Sequence, residues 1–144
     1  MNARNRQILA ALGLATLAGV GFGLVVSAAQ GQGAPMVYEL RSYYANPGKA
    51  EDMHKRFREH TMALFEKHGM KNVGYWVPAE PKDGQADLVY IVTHSSREQA
   101  AANWKAFSAD PDWQAVYKAS HINGPLVNKV ESVFLSPTDY SPLK

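Results

Sequence analysis

Between Met36 and Leu135 the chain passes through strand-period and helix-period segments in the order β-α-β-β-α-α-β, and this order constrains the fold more than any other feature. The first strand spans about Met36 to Tyr43, where period-2 alternation sets Tyr38, Leu40 and Ser42 on one face and Glu39, Arg41 and Tyr43 on the other. Asn46-Pro47 reads as a helix start, followed by Met53, Phe57, Thr61, Leu64 and His68 at helical spacing, with Gly69 as a left-handed stop. Glu51 with Lys55 and Asp52 with Arg56 stand at i,i+4 and read as the solvated face of that helix.

Val73 to Val77 and Leu88 to His94 are the next strands, the latter the most β-rich stretch in the chain. Ser95 or Ser96, with Glu98 or Gln99 three residues on, opens a helix whose buried side carries Trp104 and Phe107. Asp110-Pro111 starts a short helix with Trp113, Val116, Tyr117 and Ser120 on one face, and a last strand runs from Leu126 to Leu135.

This is the split βαβ pattern with one extra helix, an α+β ferredoxin-like fold. It predicts a four-stranded antiparallel sheet of order 4-1-3-2, with helices on one face and the other face uncovered. Strand one is then central, and we expect its Glu39, Arg41 and Tyr43 side to look out from the uncovered face. Antiparallel pairing is expected to bring Arg41 near Glu131 and Glu39 near His94, with Tyr43, Tyr90 and Trp76 as aromatic walls.

The segment before this pattern reads differently. Arg4 and Arg6 precede an uncharged apolar run from Ile8 to Val26, and Ser27-Ala28-Ala29 follows as a small-x-small processing site. Residues 1–29 therefore read as a secretory signal peptide cleaved after Ala29, which implies an exported, periplasmic or extracellular protein. The alternative is an uncleaved membrane anchor, since the run approaches spanning length. Residues 30–35 form a linker, 36–136 the folded domain and 137–144 a C-terminal tail.

The 144 residues less the first 29 leave 115, enough for one core. Losing Arg4 and Arg6 brings 15 basic against 13 acidic side chains to 13 against 13, so no basic surface for nucleic acid is expected. With no cysteine, disulfides and thiolate chemistry are excluded. No H-E-x-x-H, nucleophile elbow or phosphate loop occurs, so no metal and no cofactor is expected.

The residues Y-E-L-R-S-Y at Tyr38 to Tyr43, Pro47-Gly48-Lys49, Gly74-Tyr75-Trp76, the strand at Leu88 to Ile91, and Asp110-Pro111 with Trp113 together resemble the NIPSNAP family of the dimeric α+β barrel superfamily. The resemblance spans essentially all of 36–136. It departs from the family in the third strand, where Val92 and His94 stand in place of a tryptophan and a tyrosine. The resemblance implies a homodimer whose open sheet faces meet around a barrel-like interior, with poorly defined biochemistry.

On this reading the ligand-binding candidates are Glu39, Arg41, Tyr43, Trp76, Tyr90, His94 and Glu131, with Arg41 gripping a carboxylate in bidentate fashion. The blander alternative is that Arg41 and Glu131 form a cross-strand ion pair. No catalytic residue is assigned. His94, at the end of the third strand, is the one acid–base candidate. The function expected is an exported homodimer that binds a small organic ligand or a protein partner. A cofactor-independent monooxygenase or isomerase, using His94 with Tyr43 or Tyr90, and a membrane-anchored scaffold are the alternatives.

Overall fold

A computed structural model describes residues 36–143. The leader and its cleavage site lie outside the described residues. The chain forms β1 (Val37–Ala45), α1 (Ala50–Arg56), a π-helical turn (Phe57–Thr61), α2 (Met62–Lys67), β2 (Lys71–Trp76), β3 (Leu88–His94), α3 (Arg97–Ala109), α4 (Pro111–Ser120) and β4 (Val127–Leu135). The strands make one antiparallel sheet of order β2-β3-β1-β4, the order expected from the sequence. The fold is a ferredoxin-like α+β sandwich of one sheet and one helical layer.

The first helix begins later than Asn46-Pro47 suggests. The Asn46 amide donates to the Pro125 carbonyl at 2.8 Å instead of capping, Gly48 turns the chain at φ 72°, and α1 starts at Ala50. The later starts follow the sequence: the Ser96 hydroxyl accepts from the Gln99 amide, and Asp110 accepts from the Asp112 amide with Pro111 in the first turn.

The π turn keeps the first helical rod on the core. At about 100° per residue, a pure α-helix rotates Phe65 away from the direction of Met53 and Phe57. The wider i→i+5 turn, seen in the Met62 amide bonding the Phe57 carbonyl, sets that phase back. Met53, Phe57, Thr61 and Phe65 are all buried as a result.

Their partner is the sheet face that carries Tyr90. That ring is fully buried, stacked on Tyr75 at 5.2 Å between centroids and surrounded by Tyr43 (5.4 Å), Phe57 (5.3 Å) and Phe65 (5.8 Å). Opposed residues in an antiparallel pair share a face. Arg41 opposes Tyr90 on β3 and Ser132 on β4, so Glu39, Arg41 and Tyr43 lie under the helices. The expectation that they look out from the uncovered face is thus reversed. A charged side chain is ordinarily costly inside, but here Glu39 finds enough donors there to be buried at 2% exposure.

The uncovered face also carries a run of apolar side chains. By register it carries Tyr38 and Leu40 of β1, Val89 and Ile91 of β3, Val133 and Leu135 of β4, and Trp76 of β2. Trp76 lies across Gly74, where an added Cβ would stand 2.6 Å from the indole ring.

Candidate functional site

Two side-chain clusters occupy the space between the sheet and the helices. The first centres on the Glu39 carboxylate. One oxygen accepts from Arg41 Nη1 at 2.7 Å and from the Ser132 hydroxyl at 2.6 Å; the other accepts from Trp104 Nε1 at 2.6 Å and meets His94 Nε2 at 3.0 Å. Burial pushes the Glu39 pKa up, but the hydrogen bonds from His94, Ser132, Trp104 and Arg41 outweigh it and hold the group at about 2.

Arg41 is placed by the same knot. Its guanidinium lies 4.2 Å from the Trp104 ring centre and 5.7 Å from that of Tyr43. Burial disfavours its charge, but the neighbouring Tyr43 and Tyr90 phenols and the Glu39 carboxylate raise its pKa on balance. His94 is wholly enclosed, with Nδ1 3.4 Å from the Asn103 amide nitrogen, itself bonded to the Gly69 carbonyl at 3.1 Å. Both imidazole nitrogens therefore have partners.

A carboxylate with four donors and a pKa near 2 is a poor base, and an enclosed histidine is a poor proton shuttle. The Glu39–Arg41–His94 group ties β1, β3, β4 and α3 together. The expected approach of Glu39 to His94 is present. The expected pairing of Arg41 with Glu131 is not: Glu131 opposes Ser42, which places it on the other face of the sheet. There it accepts from the Tyr44 hydroxyl at 2.7 Å and pairs with Lys129. Trp76 is on that other face too, 52% exposed, and is no wall to Tyr43 or Tyr90.

The second cluster lines a cavity of about 280 Å³ between β1, β4 and the helices. Tyr43, Phe57, Phe65, Phe107, Trp113 and Tyr117 give it aromatic walls, and Arg56, Thr61 and His121 are its polar groups. Its rim on β4 is formed by Asn128, Lys129 and Val130, all exposed. Tyr43 is the one sequence-predicted candidate among these; Tyr90 packs directly beneath it.

Arg56 is the residue the sequence reading missed. Its expected i,i+4 partner Asp52 pairs with Lys49 at 3.7 Å, and Glu51 sits 3.9 Å from Arg58. Arg56 turns inward, 6% exposed, with Nη1 3.2 Å from the Ser120 hydroxyl and its guanidinium 5.2 Å from the Trp113 ring centre. Burial lowers its pKa, only partly offset by the Tyr43, Tyr117 and Tyr90 phenols. The signal was present: residue 56 is three after Met53, at the border of the buried stripe.

Among the described residues no group of three or more histidines, aspartates or glutamates is arranged to hold a metal ion. No helix among them is long and apolar enough to cross a membrane.

Comparison with known proteins places this architecture. A NIPSNAP family profile matches residues 38–142. No curated protein matches the chain significantly. Among solved structures, a NIPSNAP family protein from Agrobacterium tumefaciens, described as of unknown function, superposes with a TM-score of 0.64 at 24% identity over 77% of this chain and 96% of its own. A second protein of the family from the same organism gives a TM-score of 0.64 at 26% identity, covering 76% of this chain and 99% of its own. An uncharacterized NIPSNAP-like domain protein from Burkholderia xenovorans gives 0.62 at 23% identity, covering 76% and 90%. The profile runs from the first strand past the last, across the sheet and both side-chain clusters, and the chain belongs to the NIPSNAP family.

Proposed function

We propose that this NIPSNAP domain is an exported homodimer that binds a small organic molecule in the aromatic cavity between its sheet and its helices. The cavity carries the proposal: concave, walled by Tyr43, Phe57, Trp113 and Tyr117, and provided with a few inward polar groups, it has the usual make-up of a small-molecule site. Its volume of about 280 Å³ suits a compact ligand, just below the roughly 300 Å³ at which such sites commonly begin. The Glu39 knot beside it supplies rigidity and no chemistry, so the reading is of binding without catalysis.

Dimerisation is argued from the open face. Leu40, Ile91, Val133 and Leu135 form a continuous apolar surface, with Val133 52% and Leu135 39% exposed, and a second copy is the commonest cover for such a surface. Export rests on the basic, apolar and small-residue order of residues 1–29.

The test is a thermal-shift and calorimetric screen of compact aromatic and alicyclic molecules, repeated on Phe107→Ala and Tyr117→Ala. Stabilising hits that weaken in both variants support the site. Hits that leave both variants unaffected would relocate it, and the absence of any hit would end the proposal. For the dimer, light scattering should give twice the subunit mass, reduced to one by Val133→Lys with the far-ultraviolet circular dichroism unchanged.

A further inference from the structure

The cavity contains a cation without a counter-ion. Arg56 is 94% buried, and among the described residues no carboxylate forms an ion pair with it. Its hydrogen bond goes to a neutral hydroxyl, that of Ser120, which also donates to the Tyr117 carbonyl, and its Nε has no partner at all. Contrast Arg41, half-buried and likewise without a partner at Nε, whose charge is met by Glu39 at 2.7 Å.

A buried, unpaired guanidinium costs several kcal/mol relative to water, and folded chains tolerate one where something else neutralises it. The aromatic faces around Arg56 offset part of this through the Trp113 ring. They do not provide an oxygen for Nε. The π turn shapes this arrangement: Arg56 and Thr61 stand five residues apart, and the Thr61 hydroxyl reaches back to the Arg56 carbonyl at 3.2 Å. Both residues then line the same cavity, as an i,i+5 pair on a regular α-helix would not.

Resting on the binding function proposed above, we infer that the ligand is a small organic carboxylate, its anionic head held by Arg56 and its aromatic or alicyclic body packed among Phe57, Phe107, Trp113 and Tyr117. Arginine suits this role because its planar fork matches the two oxygens of a carboxylate. Thr61 and His121 stand at the same cavity wall as further polar contacts. Lys129 borders the cavity, but its ammonium pairs with Glu131 on the other face of the sheet, so the internal charge of the cavity is that of Arg56.

The test compares benzoate, phenylacetate and 3-phenylpropionate with their primary amides, which keep the shape and lose the charge. It uses the protein as expressed, isothermal calorimetry, and the variants Arg56→Met and Arg56→Lys. Expected are binding of at least one acid, weakening by about tenfold or more for its amide and for Arg56→Met, and an intermediate affinity for Arg56→Lys. The unliganded Arg56→Met protein should melt at or above the wild-type temperature, because it no longer buries an unpaired charge. Amides that bind as well as acids would overturn the carboxylate inference and leave the cavity function standing, and this comparison needs no variant to fold. Failure of acids and amides alike would overturn both.

Discussion

Replacing Glu39 with glutamine tests whether the buried knot holds the sheet to α3. In the native protein the carboxylate accepts from four donors and holds a pKa of about 2 against an ordinary value of 4.5. That difference of about 2.5, at about 1.4 kcal/mol each, makes the ionised group worth about 3–4 kcal/mol to the folded state. The folded pKa is depressed, so this stability is fully present above about pH 4.5 and is lost as the pH falls toward 2. The Glu39→Gln amide keeps the shape, turns a donor toward donors, and leaves Arg41 buried without its anion. The expected loss at pH 7 is about 3–5 kcal/mol, the usual result of removing one partner of a buried pair. Urea unfolding followed by tryptophan fluorescence, with Trp104 inside the knot, measures it at a series of pH values. The gap between wild type and variant should narrow as the pH drops from 4.5 to 2. Adding Arg41→Met to Glu39→Gln should recover part of the loss, since it removes the orphaned cation. A gap under about 1 kcal/mol at pH 7, or one independent of pH, would refute the reasoning.

Two further substitutions test the surrounding core. Tyr90→Phe should leave stability unchanged or raise it by up to about 1 kcal/mol, because the buried Tyr90 hydroxyl has no hydrogen-bond partner; a clear loss in chemical denaturation would mean that the hydroxyl is satisfied. Gly69→Ala should cost about 1–2 kcal/mol, because residue 69 holds φ 74° and a Cβ there would also stand 3.4 Å from the Asn103 amide; calorimetric melting reads it, and an unchanged midpoint contradicts it.

The sequence itself determined the elements and the topology, because these rest on local periodicity and turn chemistry. Leu88 to His94 is β3 residue for residue, Ser96 and Asp110 cap the helices they were expected to cap, and the strand order follows from the split βαβ pattern. The family was legible in Y-E-L-R-S-Y with Pro47-Gly48-Lys49 for the same reason: the motif is contiguous. Tertiary structure decided which sheet face the helices cover and which charges they enclose. Alternation divides β1 into two sets without saying which is inside, and a register shift of one residue is enough to exchange Ser132 for Glu131 opposite Arg41. Four donors from four elements make Glu39 a core residue, a condition no local window contains. Arg56 likewise enters the cavity through the packing of a π turn against α4, so its lack of a counter-ion is a property of the folded interior alone.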